Sequence, residues 1–234
     1  MKEKIIKFVP LNEWAENISQ SPEPSKKHIP DWYKKMPKTL NNETFDLEHF
    51  NTNLTMKACV PVLDSMIAGY TITLPVDLVV KMQNGIPLFT WMTDSIDIIE
   101  THKSYQVENY PIPEGYNNIP FKFRGMWRLD TPPGYSIWYT HPSHRFDLPF
   151  YTLTGFVDSD KTLNPVNFPF VIKNNWEGVI EKGTPIAQAI PIKRESWSHE
   201  ILHPDNNSKW GPEKIRSKAR NYYRSLLWEK KKYN

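Results

Sequence analysis

Proline occurs along almost the whole of this chain and limits the regular structure that it can form. The sequence has 21 prolines against 9 glycines in 234 residues. Because proline has no backbone N–H and a fixed φ, it interrupts helices and is confined to the edges and ends of strands. The prolines therefore predict short elements joined by ordered turns.

Short segments that alternate apolar with polar residues begin at about residue 54, and this period of two is typical of strands buried on one face. Much of the apolar content is aromatic, with 9 Trp, 11 Tyr and 11 Phe, which suits pleated, half-buried surfaces. Residues 70–74 and 76–81 are predicted to form a hairpin, with a turn at Asn84-Gly85 after it. Further strands are predicted in residues 121–129, 135–140, 151–157, 166–172 and 186–192.

The regular spacing of these strands predicts a mainly β fold, a distorted β-barrel or sandwich. We divide the chain into an N-terminal extension packed on the core (1–53), a β-barrel core (54–197), and a linker with a basic amphipathic helix (198–234). The extension is predicted to contain a strand at residues 5–9 and one helical turn at residues 29–37. The C-terminal helix would either pack on the body or on a neighbouring subunit, or bind nucleic acid or an acidic partner through its basic face.

The charge balance and the cysteine count restrict the partners and the compartment. A net charge of +3, from 29 basic and 26 acidic residues, does not by itself indicate a polyanionic partner. The single cysteine, Cys59, excludes an internal disulfide and fits a reducing compartment. No apolar run approaches the ~18–20 residues that span a bilayer, and no signal-peptide core follows the N-terminus. We therefore expect a cytoplasmic protein that does not contact a membrane.

Three segments, taken in order, resemble the motifs of the dUTPase and dCTP deaminase superfamily. Residues 64–72 resemble its Ala-Gly-Tyr-Asp-Leu motif, residues 154–160 its Gly-Val-Ile-Asp-x-Asp turn, and residues 180–188 its Gly-x-x-Ile-Ala-Gln strand. The resemblance covers residues 58–194 and implies a barrel of the dUTPase type, with the last two segments as adjacent strands. It also implies a homotrimer, because that family builds its pockets between subunits.

The same resemblance implies a pocket for a nucleotide or a related phosphorylated small molecule, and implies its hydrolysis. Asp158 and Asp160 would be the catalytic pair, positioning water or a Mg²⁺ ion that bridges phosphates. Gln188 would contact the phosphates, and Tyr70 would pack against the sugar or base.

Residues 141–147 stand where the superfamily has its phosphate-binding turn, and Ser143 belongs to this candidate ligand-binding loop. Arg145 is able to bind a phosphate through two hydrogen bonds, and His144 is able to act as an acid or a base. The alternative is an internal tie between Arg145 and Asp147 that shapes the corner.

The sequence departs from the superfamily at positions that matter for activity. Thr71 stands where dUTPases have an acid, Lys161 replaces an aromatic residue, and the Gly-rich C-terminal lid is absent. These departures leave open a non-catalytic accessory protein that serves binding or assembly. Residues 29–34 and 141–150 are also similar to segments of a family of phage and bacterial proteins. This similarity implies no chemistry. If the protein is encoded by a phage, it implies that the protein is located in the host cytoplasm.

A metal-dependent oxygenase on a jelly roll is a third hypothesis. Its site needs two histidines and a carboxylate, for which His144 and Asp147 with His199 or His203 are the candidates. Residues three apart on a strand point to opposite faces, so only a loop would bring His144 and Asp147 together.

Overall fold

The structure is a computed structural model that describes residues 4–40, 54–92, 96–202 and 223–234. In this part of the chain the backbone forms antiparallel β-sheets with a few short helices, so the prediction of a mainly β fold is confirmed. The strands are β1 (Lys7–Pro10), β2 (Glu23–Pro24), β3 (Tyr70–Thr73), β4 (Leu78–Gln83), β5 (Ile86–Thr90), β6 (Ile99–Thr101), β7 (Phe121–Phe123), β8 (Trp127–Asp130), β9 (Tyr135–Thr140), β10 (Phe150–Thr152), β11 (Gly155–Val157), β12 (Phe168–Ile172), β13 (Gly178–Ile180) and β14 (Pro185–Lys193).

The helices are short, as the prolines predict. They are α1 (Glu13–Ile18), α2 (Asp31–Lys35) and α3 (Val60–Ile67), with 3-10 turns at Ser25–His28, Met56–Ala58 and Ser104–Gln106 and a π-helical turn at Tyr223–Leu227. The Asn12 side chain accepts a hydrogen bond from the Ala15 N–H at 2.8 Å and so caps α1. Helix α2 lies within residues 29–37, which confirms the predicted helical turn there.

Two sheets supply most of the core. One has the strand order β11-β9-β14-β3-β2 and the other the order β10-β12-β7-β6. Phenylalanines on the second sheet pack closely, and the rings of Phe123 and Phe170 stack with centroids 3.8 Å apart. Tyr139 on β9 contacts Phe168 on β12 at 5.4 Å, which joins the two sheets in one apolar cluster.

The turn signal at Asn84-Gly85 is used, but by a different pair of strands from the predicted pair. Asn84 and Gly85 have φ angles of 52° and 78° and join β4 to β5, as a two-residue hairpin turn requires. Strand β3 instead pairs with β14 and β2. The predicted hairpin between residues 70–74 and 76–81 is therefore wrong, because residues 74–77 lead β4 into a separate sheet with β5 and β13.

The predicted barrel needs a second correction. Among the described residues no sheet closes on itself. The segments at residues 155–160 and 183–188 lie in one sheet, but they are not adjacent, because β9 pairs with β11 on one side and with β14 on the other.

The N-terminal strands contact the body. Strand β1 pairs with β8, and β2 is the edge strand beside β3 in the five-stranded sheet. The predicted basic helix begins at Pro212, and its first part, to residue 222, lies outside the described residues. Of its remaining part only Tyr223–Leu227 is helical, as a π-helical turn, and residues 228–234 form no helix, so the prediction is wrong for this last segment. No helix in the described part of the chain is long and apolar enough to cross a bilayer.

Candidate functional site

The turn between β9 and β10, residues 141–149, contains most of the side chains that the sequence assigns to a ligand. It is closed by two backbone hydrogen bonds, and His144 takes a positive φ of 60°. His141 is buried at its start, where Nδ1 accepts from the Thr152 N–H at 3.2 Å and Nε2 donates to the Arg145 carbonyl at 3.1 Å. Burial lowers the pKa of His141, so this ring is a neutral structural group.

Arg145 is engaged within the turn. Its Nε donates to Asp147 Oδ1 at 2.9 Å, and its Nη2 donates to Asp147 Oδ2 at 2.9 Å. Burial raises the pKa of Asp147, but the hydrogen bond and charge of Arg145 outweigh burial and the pKa is lowered. The geometry is that of the internal tie, since the bidentate pair occupies the Nε–Nη2 edge of the guanidinium, one of its two edges that can bind a phosphate.

Gln188 on β14 is only 2% exposed, and its side-chain amide is fully used inside the protein. Oε1 accepts from the N–H of Ser143 at 3.0 Å and from its Oγ at 2.9 Å. Nε2 donates to the carbonyls of Ser65 at 2.8 Å and Ala68 at 2.6 Å. Because an amide side chain has two N–H groups and two acceptor positions, Gln188 has none left for a phosphate. It clamps the C-terminal end of α3 to the β9–β10 turn.

His144 joins the same cluster through a residue that the sequence analysis does not single out. Its Nε2 lies 3.1 Å from Ser65 Oγ, and this hydroxyl is also 2.8 Å from the Val62 carbonyl. The structure thus brings Ser143, His144 and Gln188 together around Ser65. The signal that could have indicated Ser65 is its position in the first motif-like segment, residues 64–72.

Asp158 and Asp160 lie beyond the end of β11 and are both paired with Arg194. Asp158 accepts from Ser136 Oγ at 2.7 Å, and Asp160 accepts from Arg194 Nη1 at 2.9 Å and from the Gly134 N–H at 2.9 Å. The hydrogen bond from Arg194 lowers the pKa of Asp160 to about 2. Because Arg194 donates hydrogen bonds to both carboxylates and offsets one of their two negative charges, the pair is engaged within the protein and does not fit a Mg²⁺ ion, and no hydrolytic step follows from it.

Tyr70 is covered by the protein's own chain. The centroid of its ring lies 5.1 Å from that of Phe8 and 6.2 Å from that of Tyr233, both in edge-on contacts. Its hydroxyl donates to the Asn234 carbonyl at 3.3 Å. Asp64 holds the same C-terminal segment, since Oδ2 lies 2.9 Å from Trp228 Nε1 and 3.0 Å from Lys231 Nζ. The structure therefore separates Tyr70 from Asp158 and Asp160, which lie at the opposite edge of the five-stranded sheet.

A concave site lies elsewhere, lined by β9 and β11 of the five-stranded sheet, by β12 of the second sheet and by the loop that follows β6. We call it the apolar cleft; its volume is about 330 Å³. Most of its lining is apolar or aromatic, and two of its residues, Thr154 and Gly155, begin the motif-like segment before Asp158. The lining residues are His102, Gln106, Val107, Tyr110, Pro120, Tyr139, Leu153, Thr154, Gly155, Val157, Val166, Asn167, Phe168 and Pro169.

His102 lines the apolar cleft, but its Nδ1 is inaccessible to solvent and so faces the protein rather than the open cavity. Its Nδ1 is buried and has no hydrogen-bond partner among the described residues. Burial lowers the pKa of His102, the charge of Lys122 lowers it further, and Glu100 opposes them. Asn167, in contrast, is held at both ends, by Glu100 at 3.2 Å and by the Gly125 N–H at 3.1 Å.

The sequence gives no pattern for the apolar cleft, because its wall at residues 102–110 has no periodicity and meets strands that are distant in sequence. A lone histidine next to a proline-rich loop was the available signal.

The oxygenase hypothesis gains no cluster from the fold. No group of three or more His, Cys, Asp or Glu side chains is placed to hold a metal ion within the described ranges. His144 is bonded to Ser65, Asp147 is paired with Arg145, and His203 lies outside the described residues. Comparison with protein-family models, characterised proteins and solved structures found no match to this chain.

Proposed function

We propose that this protein binds a small molecule that contains an aromatic ring, in the first instance a nucleoside or nucleotide, in the apolar cleft. The observation that carries the proposal is a concave site of about 330 Å³ with apolar walls and few polar groups. Ligand sites are typically concave, mostly apolar and ~300–1,000 Å³ in volume, with a few polar groups that orient the ligand.

The resemblance to the dUTPase superfamily supports the nucleotide class. Its motif-like segment at residues 154–160 begins in the wall of the apolar cleft, at Thr154 and Gly155. The proposal therefore places the ligand in the apolar cleft, where space is available, and not at the β9–β10 turn. Hydrolysis is not part of the proposal, because Asp158 and Asp160 are both engaged by Arg194.

A substitution that fills the apolar cleft tests the proposal. Gly155 and Val157 both line it, since residues two apart on a strand share a face. A side chain at Gly155 would begin in open space, with no atom within 4 Å of its Cβ. We expect Gly155→Leu to fold normally and to block the ligand, because the leucine occupies part of the cleft.

The measurement is thermal unfolding with nucleosides and with nucleoside mono-, di- and triphosphates, with and without Mg²⁺. A ligand present at 100 times its Kd stabilises the folded state by about 2.7 kcal/mol. Leu163→Ala is the control, because Leu163 is 79% exposed and is not among the lining residues of the cleft. If no compound raises the midpoint, or if Gly155→Leu keeps the full ligand effect, the proposal fails.

A specific surface favours the second candidate, a homo-oligomeric assembly module. Phe156 is 65% exposed and Trp138 is 36% exposed, and their rings stack at 5.9 Å with only 4° between their planes. Ile190 is in register with Trp138 on the next strand, so an apolar row crosses three strands near a sheet edge. Contiguous exposed apolar surface is typical of protein–protein contacts. We propose that this row contributes to the trimer that the resemblance implies.

Sedimentation velocity tests this second candidate. Phe156→Lys should shift a trimer towards monomers, because each interface would bury an unpaired charge. Leu163→Lys is the control, since Leu163 is 79% exposed and lies outside the row. A wild-type protein that sediments as a monomer at all concentrations would remove the assembly proposal without affecting the apolar cleft.

A further inference from the structure

The loop between β6 and β7, residues 102–120, supplies one wall of the apolar cleft, and strands β9, β11 and β12 contribute to the others. The composition of the loop disfavours a strand at residues 111–113, because Pro111 and Pro113 have no backbone N–H to donate to a ladder. The wall is therefore irregular chain beside a cavity of ligand size. The loop residues that line the cavity are His102, Gln106, Val107, Tyr110 and Pro120.

Within the described structure, residues 103–112 of this loop form hydrogen bonds only with one another. The Gln106 N–H donates to the Lys103 carbonyl at 2.9 Å, and the Tyr110 N–H donates to the Val107 carbonyl at 3.1 Å. The Lys103 N–H donates to Gln106 Oε1 at 2.9 Å. No described side chain in this stretch is fully buried. A segment with few bonds to the body and little buried surface opens locally at a low free energy.

The chain on either side of this stretch is fixed to the body. Before it, Glu100 on β6 accepts from Asn167 Nδ2 at 3.2 Å. After it, the Gly115 carbonyl accepts from the Asn174 N–H at 2.9 Å. Gly115 has a φ of 85°, a conformation that glycine adopts without strain. Loops that close over ligands move about a few such positions at their ends, while the rest of the scaffold stays in place.

We propose that residues 103–112 are a lid on the apolar cleft, which opens to admit the ligand and closes with the ring of Tyr110 against it. Tyr110 lines the cleft, yet it is 47% exposed, so its ring has free surface that a ligand can cover. The inference rests on the proposed function and adds how the ligand enters the cleft and is held there.

Hydrogen exchange of the full chain, followed by mass spectrometry, tests the lid. In the free protein the amides of residues 103–112 should exchange much faster than those of β12. The nucleoside or nucleotide that gives the largest thermal shift, present at 100 times its Kd, should slow them by about ten- to a hundredfold, because the open lid does not hold the ligand. Residues 195–202 are the internal control, since they are exposed and outside the cleft, and the compound should not change their exchange.

Two tyrosines of the lid provide matched variants. Tyr110→Ala should weaken binding of the same compound about three- to tenfold in a calorimetric titration, because it removes an aromatic contact with the ligand. The unfolding midpoint of the free variant should equal that of the wild type. Tyr105→Ala is the control and should keep the wild-type affinity, since Tyr105 lies on the same stretch, is 69% exposed and does not line the cleft.

Three results would overturn the lid and leave the proposed function in place. They are slow exchange of residues 103–112 in the free protein, equal to that of β12, exchange that a bound compound does not change, and an equal loss of affinity in Tyr110→Ala and Tyr105→Ala. If no compound raises the unfolding midpoint, or if Gly155→Leu keeps the full ligand effect, the proposed function fails and the lid fails with it.

Discussion

The β9–β10 turn and the apolar cleft contain the two sets of side chains best suited to ligand chemistry, and they differ in how their polar atoms are satisfied. In the turn, Arg145 is paired with Asp147, and Gln188 makes four hydrogen bonds within the chain. The apolar cleft has few polar groups, and its walls enclose about 330 Å³ of open space. The polar groups of the turn are therefore used within the chain, whereas the cleft has space for a ligand.

A motif-like pattern of polar residues does not by itself indicate a binding site. Polar residues at recognisable spacings can serve the fold, because a buried polar group must find a partner wherever it lies. Residues that already hold one another have little capacity left for a ligand. Open concave space with apolar walls is the better indicator of binding.

The largest expected effect in this comparison belongs to Gln188. Gln188→Leu would remove the partner of the Ser143 N–H and hydroxyl and of the carbonyls of Ser65 and Ala68, all of them partly buried. We expect a loss of about 3 kcal/mol or more in the free energy of unfolding, since each unsatisfied group costs ~1–3 kcal/mol. Urea denaturation measures it, with Gln83→Leu on the exposed side of β4 as the control. A stable Gln188→Leu variant that had lost ligand binding would reverse our assignment of roles.

A smaller effect, confined to acid, is expected at the pair of aspartates. The folded-state pKa of Asp160 is about 2, below its ordinary value of 3.8, so its contribution to stability is present above about pH 3.8 and is lost as pH falls towards 2. Asp160→Asn should therefore have a flatter stability profile over this window than the wild type. Unfolding midpoints measured from pH 5 to pH 2 test this, with the exposed Asp97→Asn as the control. If the unfolding midpoint falls equally steeply with pH in the wild type, Asp160→Asn and Asp97→Asn, Arg194 does not pair with Asp160 in solution.

The smallest effect is expected for the tie within the turn. Arg145→Gln should cost at most about 1 kcal/mol, because Asp147 is half exposed and exposed ion pairs contribute little. A double-mutant cycle with Asp147→Asn isolates the coupling between the two side chains. Ligand affinity should remain unchanged in both single variants. A large loss of nucleotide affinity in Arg145→Gln would return the ligand site to the β9–β10 turn.

Local features of the fold were predictable because local chemistry determines them. The strands containing Phe121, Ile137 and Ile186 follow the alternation of apolar and polar residues, and the structure places all three side chains in the core. Asn84-Gly85 forms a two-residue turn because both residues tolerate a positive φ. What the alternation leaves open is which strand pairs with which, and this is why the β3–β4 hairpin and the adjacency of β11 and β14 were wrong.

The candidate site was predictable only in part, for a related reason. Ser143, His144 and Gln188 do come together, since β14 and β9 are neighbours. Tyr70 and the two aspartates do not, because β9 and β14 stand between β11 and β3. His102 has no periodic neighbours, so no sequence pattern indicates that it lines a cavity.

The sequence alone specifies a mainly β chain of short elements, because proline and the alternation of side chains act within a few residues. It also determined the tight turn at Asn84-Gly85 and the helical turn before Pro37. The order of the strands, the pairing of Arg194 with the two aspartates, and the cleft beside His102 follow only from the tertiary structure. These depend on contacts between residues far apart in the chain, where burial and hydrogen-bond satisfaction over the whole molecule select the arrangement.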